Sequence, residues 1–238
     1  MLQIENYTKR YGDFLAVDRL DMHVRPGTLM GFIGHNGAGK TTTLRSVAGI
    51  LDFEDGTIRI DGTDIKQDPI RVKSLTAFIP DNPELYEFLT GAEYLDFISD
   101  VFELDDHDRQ ERITKYANSF ELQGNLSDRV SSYSHGMKQK LALIGALIHE
   151  PKLLLLDEPF VGLDPIAART LRGYLREVCD KGGAVVFSTH VLEVAQKICD
   201  EIAIIKNGRL VVQGETQELT QNASLEDIFV ELSESEVL

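Results

Sequence analysis

Leu29-Met30-Gly31-Phe32-Ile33-Gly34-His35-Asn36-Gly37-Ala38-Gly39-Lys40-Thr41-Thr42 passes from an apolar run into glycines and then into a lysine and three threonines, the last being Thr43. The unbroken apolar residues 29–33 read as a strand covered on both faces. Gly34 to Thr41 fits the pattern G-x-x-x-x-G-K-[ST]. After Lys40, residues Leu44, Val47, Ala48 and Leu51 recur at helical spacing and predict a helix with one apolar face. Between strand and helix, glycines let main-chain N–H groups turn inward, and the helix N-terminus adds positive potential. Such a loop cradles phosphate oxygens. Lys40 is placed to reach β- and γ-phosphates and Thr41 to put its hydroxyl on Mg²⁺, with Asn36, Gly37, Gly39 and Thr42 completing the cradle. A ligand-free glycine turn would require strand, loop, Lys, Thr and helix to agree by chance. The dinucleotide pattern G-x-G-x-x-G fails, because Gly37-Ala38-Gly39 runs into Lys40-Thr41-Thr42.

A second apolar strand, Leu153 to Leu156, ends in Asp157-Glu158. It delivers one carboxylate to the sheet edge, where Mg²⁺ would sit, and a second, Glu158, placed to polarise a water. The competing reading is a buried strand with two solvated acids at its end. A third buried run is Ala184 to Phe187, and Asp164-Pro165 caps a helix carrying Ala168, Leu171, Leu175 and Val178. Strands alternating with helices imply a mostly parallel sheet.

Around this core the pattern changes. Leu20, Met22 and Val24 alternate with polar residues, and Thr57 to Ile60 lies between Asp55-Gly56 and Asp61-Gly62, so the N-terminal part reads as antiparallel sheet. Residues 90–149 hold helices and no convincing strand. Thr90-Gly91-Ala92-Glu93 has capping-box spacing ahead of Tyr94, Leu95, Phe97, Ile98 and Val101. A hairpin at Asn207-Gly208 and a short amphipathic helix after Ser224 finish the chain. The expected fold is α/β: a P-loop NTPase core with a mostly parallel sheet, an N-terminal antiparallel β-subdomain and an inserted helical lobe. Residues 1–238 form one domain, with 1–89 and 150–215 as the core, 90–149 as the lobe and 216–238 as a helical extension.

Composition narrows the partners. The 238 residues carry a net charge of −15, which argues against nucleic acid and against lying unaided on anionic lipid, so no direct lipid anchor is expected. Cys179 and Cys199 are too few for a disulfide framework, and no Cys/His cluster suggests a metal site. Met1 to Asn6 hold no basic region followed by an apolar stretch, so no secretory signal is expected, and the longest apolar run, Leu141 to Ile148, is far below the roughly 18 residues of a spanning helix. A cytoplasmic location is expected.

With the phosphate loop and the Asp157-Glu158 strand in place, the chain resembles the ATP-binding cassette (ABC) ATPases, the nucleotide-binding subunits of ABC transporters, from about Leu2 to Gly214. Tyr133-Ser134-His135-Gly136-Met137 resembles the family signature, Leu163-Asp164 its D-loop, His190 its switch histidine, and Tyr11 the aromatic that stacks on adenine. The resemblance implies ATP and Mg²⁺ as ligands, Val17 beside Tyr11 at the nucleotide, and Asp81 near the metal. It implies Glu158 as base and His190 on the γ-phosphate. It implies a head-to-tail pair in which Ser134, Gly136 and Asp164 of one copy complete the ATP site of another. It also implies an integral membrane permease as partner, met by Glu84 to Leu89, with the chain peripheral on the inner face of the cell membrane.

Two positions depart from the family. Asp81 stands where Gln is usual, with Asn82 as an alternative source of an amide; His135 stands where Gly is usual, its ring turned to the phosphates or to solvent. These variants are most similar to the Ecs-type and drug- and peptide-exporter subgroup. The alternative is a soluble ABC ATPase that remodels a cytosolic complex, of the iron–sulfur assembly type.

Overall fold

The computed structural model describes residues 1–234; the last four positions of the 216–238 extension lie outside the described residues. The chain opens with β1 (Leu2–Tyr11) and β2 (Phe14–Val24), an antiparallel pair turning at Gly12. Leu2 and Ile4 point inward; a shift at Asn6, whose φ is 51°, then brings Tyr7 to the same buried side. Next come β3 (Leu29–Ile33) and α1 (Lys40–Val47). The expected helix out to Leu51 is cut short, because Gly49 takes φ 67° and unwinds the chain after Ala48.

The chain continues through β4 (Asp55–Ile60), β5 (Thr63–Asp64), α2 (Pro69–Leu75) and β6 (Thr76–Ile79). Three helices follow: α3 (Gly91–Val101), α4 (Asp106–Ser119) and α5 (His135–Leu147). The capping box forms as expected, with Glu93 N donating to Thr90 Oγ1 and Thr90 N donating to Glu93 Oε2. Then come β7 (Leu153–Asp157), α6 (Pro165–Asp180), β8 (Ala184–Thr189), α7 (Leu192–Ile198), β9 (Glu201–Lys206), β10 (Arg209–Glu215), α8 (Thr216–Leu219) and α9 (Leu225–Glu234).

The strands make two sheets. One is antiparallel, in the order β2-β1-β4-β5; the other runs β10-β9-β3-β8-β7-β6 and is parallel except for β10. The central sheet is covered on both faces, which is why its strands are continuously apolar. Met30, Phe32, Leu153, Leu155 and Val186 pack towards α1 and the antiparallel sheet. Leu29, Ile33, Leu154, Leu156 and Phe187 pack towards α5 and α6. The two sheets meet edge to edge at Gln213 on β10, whose carboxamide accepts from His23 N and donates to His23 O on β2. Nearby, Arg25 pairs with the buried Glu201 at 2.6 Å.

Candidate functional site

Strands β3, β8 and β7 end side by side, and the loops after β3, β7 and β6, with the β1–β2 hairpin, form one cleft of about 270 Å³, which His190 after β8 does not line. It is lined by Tyr11, Asn36, Gly37, Gly39, Lys40, Thr41, Thr42, Asp81, Asp157 and Glu158, all expected at a site from the sequence. The loop geometry explains the glycines. A Cβ on Gly34 would lie 2.5 Å from the Ile205 carbonyl oxygen, and Gly39 combines φ 110° with a Cβ position 2.9 Å from the Ala16 carbonyl oxygen. Lys40, itself buried, donates from Nζ to the carbonyls of Gly34 at 2.6 Å and His35 at 3.2 Å. Burial lowers its pKa, and the carboxylates of Glu158 and Asp157 act in the opposite direction.

Asp157 is fixed from both sides. Thr41 Oγ1 donates to its Oδ2 at 2.6 Å, and Ser188 Oγ donates to its Oδ1. Ser188 Oγ also accepts from Glu158 N at 3.1 Å, so one hydroxyl orients both acids. Glu158 has φ 49°, which turns its side chain away from the strand and towards His190; Nδ1 of that ring lies 2.8 Å from Glu158 Oε1. A carboxylate with its own histidine, beside a phosphate-type loop, is a constellation for activating water. Thr41, Asp157 and Asp81 supply oxygen donors of the kind a hard divalent cation takes, so the residues fit Mg²⁺.

The structure separates the remaining candidates from the cleft. Val17 is wholly buried and backs the loop, with Cγ2 3.2 Å from the Cβ position of Gly39; it does not line the cleft. Phe14 and Ala16 line that end instead. Ser134 caps α5, accepting from Met137 N, and Asp164 caps α6, accepting from Ile166 N and Ala167 N; with Gly136 they lie outside the cleft. Lys140 pairs with Asp164 and helps hold its carboxyl below the usual carboxylate range. His135 takes neither expected course alone: it is exposed, yet its ring lies against Gly162.

Asp81 and Asn82 diverge. Asp81 faces the cleft, whereas Asn82 lines a second cavity of about 570 Å³ between the central sheet and helices α3 and α5. Sequence reasoning missed Ser188. Its signal was a polar residue closing the apolar run Ala184 to Phe187 directly before Thr189-His190. It also missed Phe14, the cross-strand neighbour of Tyr11.

A cleft at the end of a parallel sheet, floored by a glycine loop with a lysine and flanked by paired acids, defines a P-loop nucleotide hydrolase. Residues 17–161 match the family model described as ABC transporter, and the chain belongs to that family as an ATP-binding, ATP-hydrolysing subunit. It is 32% identical to the ABC-type transporter ATP-binding protein EcsA of Bacillus subtilis (strain 168), over 99% of this chain and 98% of that one, which bears out the Ecs-type resemblance. It is 34% identical to the Nod factor export ATP-binding protein I of Cupriavidus metallidurans, over 92% of this chain and 72% of that one. A solved structure of the ATP-binding subunit of an ABC transporter matches at a TM-score of 0.94 and 32% identity, covering 98% of this chain and all of that one. No helix among the described residues is long and apolar enough to cross a membrane.

Proposed function

We propose that this chain powers a separate integral membrane permease, in the direction of export, by ATP-driven closure of a head-to-tail pair of its own copies. The observation that carries the reading is the division of the candidate residues. The loop, Asp157 and Glu158 share one cleft, while Ser134 and Gly136 sit at a helix start outside it. A helix start offers free N–H groups to an anion, so the Ser134 face of one copy suits the exposed phosphates held by another.

In this reading Tyr11 and Phe14 receive the base, Lys40 and the loop N–H groups hold the phosphates, and Thr41, Asp157 and Asp81 would hold Mg²⁺, which would supply positive charge beside the phosphates. Glu158 takes the proton of the attacking water, and His190 orients Glu158 and the γ-phosphate. The permease side is supported by an exposed aromatic patch. Tyr86 packs against Phe88 and Phe97, and Phe88 is 72% exposed, so two of the three rings belong to the Glu84 to Leu89 segment expected to meet the permease. The family relation to a Nod factor export protein supports the direction. The subunit is then held peripherally on the inner face of the membrane by its permease.

The test is E158Q. Turnover falls by about 10²–10⁴-fold, the range for loss of a general base, while ATP binding persists and a stable pair elutes on size exclusion with Mg²⁺ and ATP. Sustained hydrolysis removes Glu158 from the role of base, and a monomer under saturating ATP removes the paired site.

A further inference from the structure

The loop from Glu158 to Asp164 is held from two directions. On the sheet side, Glu158 N donates to Ser188 Oγ at 3.1 Å, and Phe160 packs edge-on against Phe187 with ring centroids 5.6 Å apart. On the other side it is held by the first turns of α5. Lys140 Nζ lies 2.8 Å from Asp164 Oδ2, and the lysine side chain is only 14% exposed. Asp164 thus divides its carboxylate, with Oδ1 capping α6 and Oδ2 taking the lysine.

The His135 ring covers Gly162. A Cβ at Gly162 would lie 2.8 Å from His135 Cδ2 and would push the ring aside, while its φ of 81° is the reason glycine is favoured there. Gly136 contributes the same way: a Cβ there would lie 3.0 Å from the Gly162 carbonyl oxygen. Helix α5 is tied on its far side as well, because Lys138 pairs with Glu87 in the segment before α3. Lys138 and Lys140 are two residues apart, roughly 200° around the helix, so each reaches a different neighbour.

We infer that Lys140 is a positioning residue for ATP hydrolysis, with His135 as its steric partner: together they join the loop that carries Glu158 to the helix that begins at Ser134. A displacement of α5 then reaches the catalytic carboxylate through Asp164 and Gly162, without an intervening flexible segment. The loop is short and tightly turned, with Val161 N donating to Glu158 O at 3.1 Å, so it transmits a shift rather than absorbing it. The inference rests on the reading of Glu158 as the group that activates water.

The test is steady-state ATPase kinetics of K140M, K140R and H135A beside E158Q, with thermal unfolding of each. Methionine keeps the packed stem of Lys140 and removes its charge. K140M lowers kcat by about tenfold or more with KM within about twofold, as misplacement of a reacting group does. K140R, which can still pair with Asp164, restores most of kcat, and H135A shows a smaller loss in kcat alone. Wild-type kcat in K140M overturns the inference. So does a joint loss of stability, kcat and KM that K140R fails to rescue. Full turnover in E158Q overturns the reading beneath it, whatever K140M does.

Discussion

Asp81 and Asn82 differ by one place in the chain and serve different spaces. Asp81 shares its cleft with Asp157, Glu158 and one lysine, a crowd of carboxylates that a divalent cation relieves. D81N therefore raises the Mg²⁺ concentration needed for half-maximal ATPase activity by about tenfold, the scale for loss of a group around a metal. N82A leaves that titration unchanged. A D81N enzyme with the wild-type Mg²⁺ profile takes Asp81 out of the site. Most of the cleft was legible because its residues sit in one contiguous motif and at one strand end. Val17 was misplaced because a family resemblance fixes a position in a strand, not the side on which its side chain packs. Ser188 showed in the sequence only as a polar end to an apolar run, and its role did not: its partner Asp157 is 31 residues away, and only the parallel pairing of β7 with β8 brings them together.

Among the elements, α9 is anchored at its start by the wholly buried Leu225, and Ile228, Phe229 and Leu232 pack against the same core. Leu225 has no exposed surface, and its N–H donates to Gln196 Oε1 on α7 at 3.1 Å. L225A should cost about 2–5 kcal/mol, read as a lower urea midpoint, because the residue leaves a cavity between α9 and α7. An unchanged midpoint would mean that α9 contributes nothing to global stability. The long periodic elements were readable from the chain. Strand β6 was not, since it has four residues, lies at the sheet edge and follows α2 with no turn residue between. Helices α2 and α7, seven residues each, are too short for a helical period to stand out. The apolar face expected on α3 is real but only partly covered, since Leu95 is buried while Phe97 and Val101 stay exposed.

At the scale of the whole molecule, stability carries a pH signature from His149. Its ring stacks on Phe102, centroids 3.7 Å apart, where sheet and helices meet, and burial lowers its pKa from 6.5 to about 4. The unfolded chain binds a proton that the folded chain refuses. Stability is therefore full above pH 6.5 and drains away as pH falls towards 4, by about 3 kcal/mol in total. Chemical denaturation of H149Q between pH 7 and pH 5 should show a flatter decline than wild type, and parallel declines would discard His149 as the source. The seam at Gln213 has a consequence of another kind. A carboxamide bears the same donor and acceptor as a peptide unit, so this side chain acts as a one-residue rung between two sheet margins. The margins β2 and β10 thereby shield one another at this seam and offer a stray polypeptide less bare ladder on which to aggregate, while β5 and β6 form the other two margins.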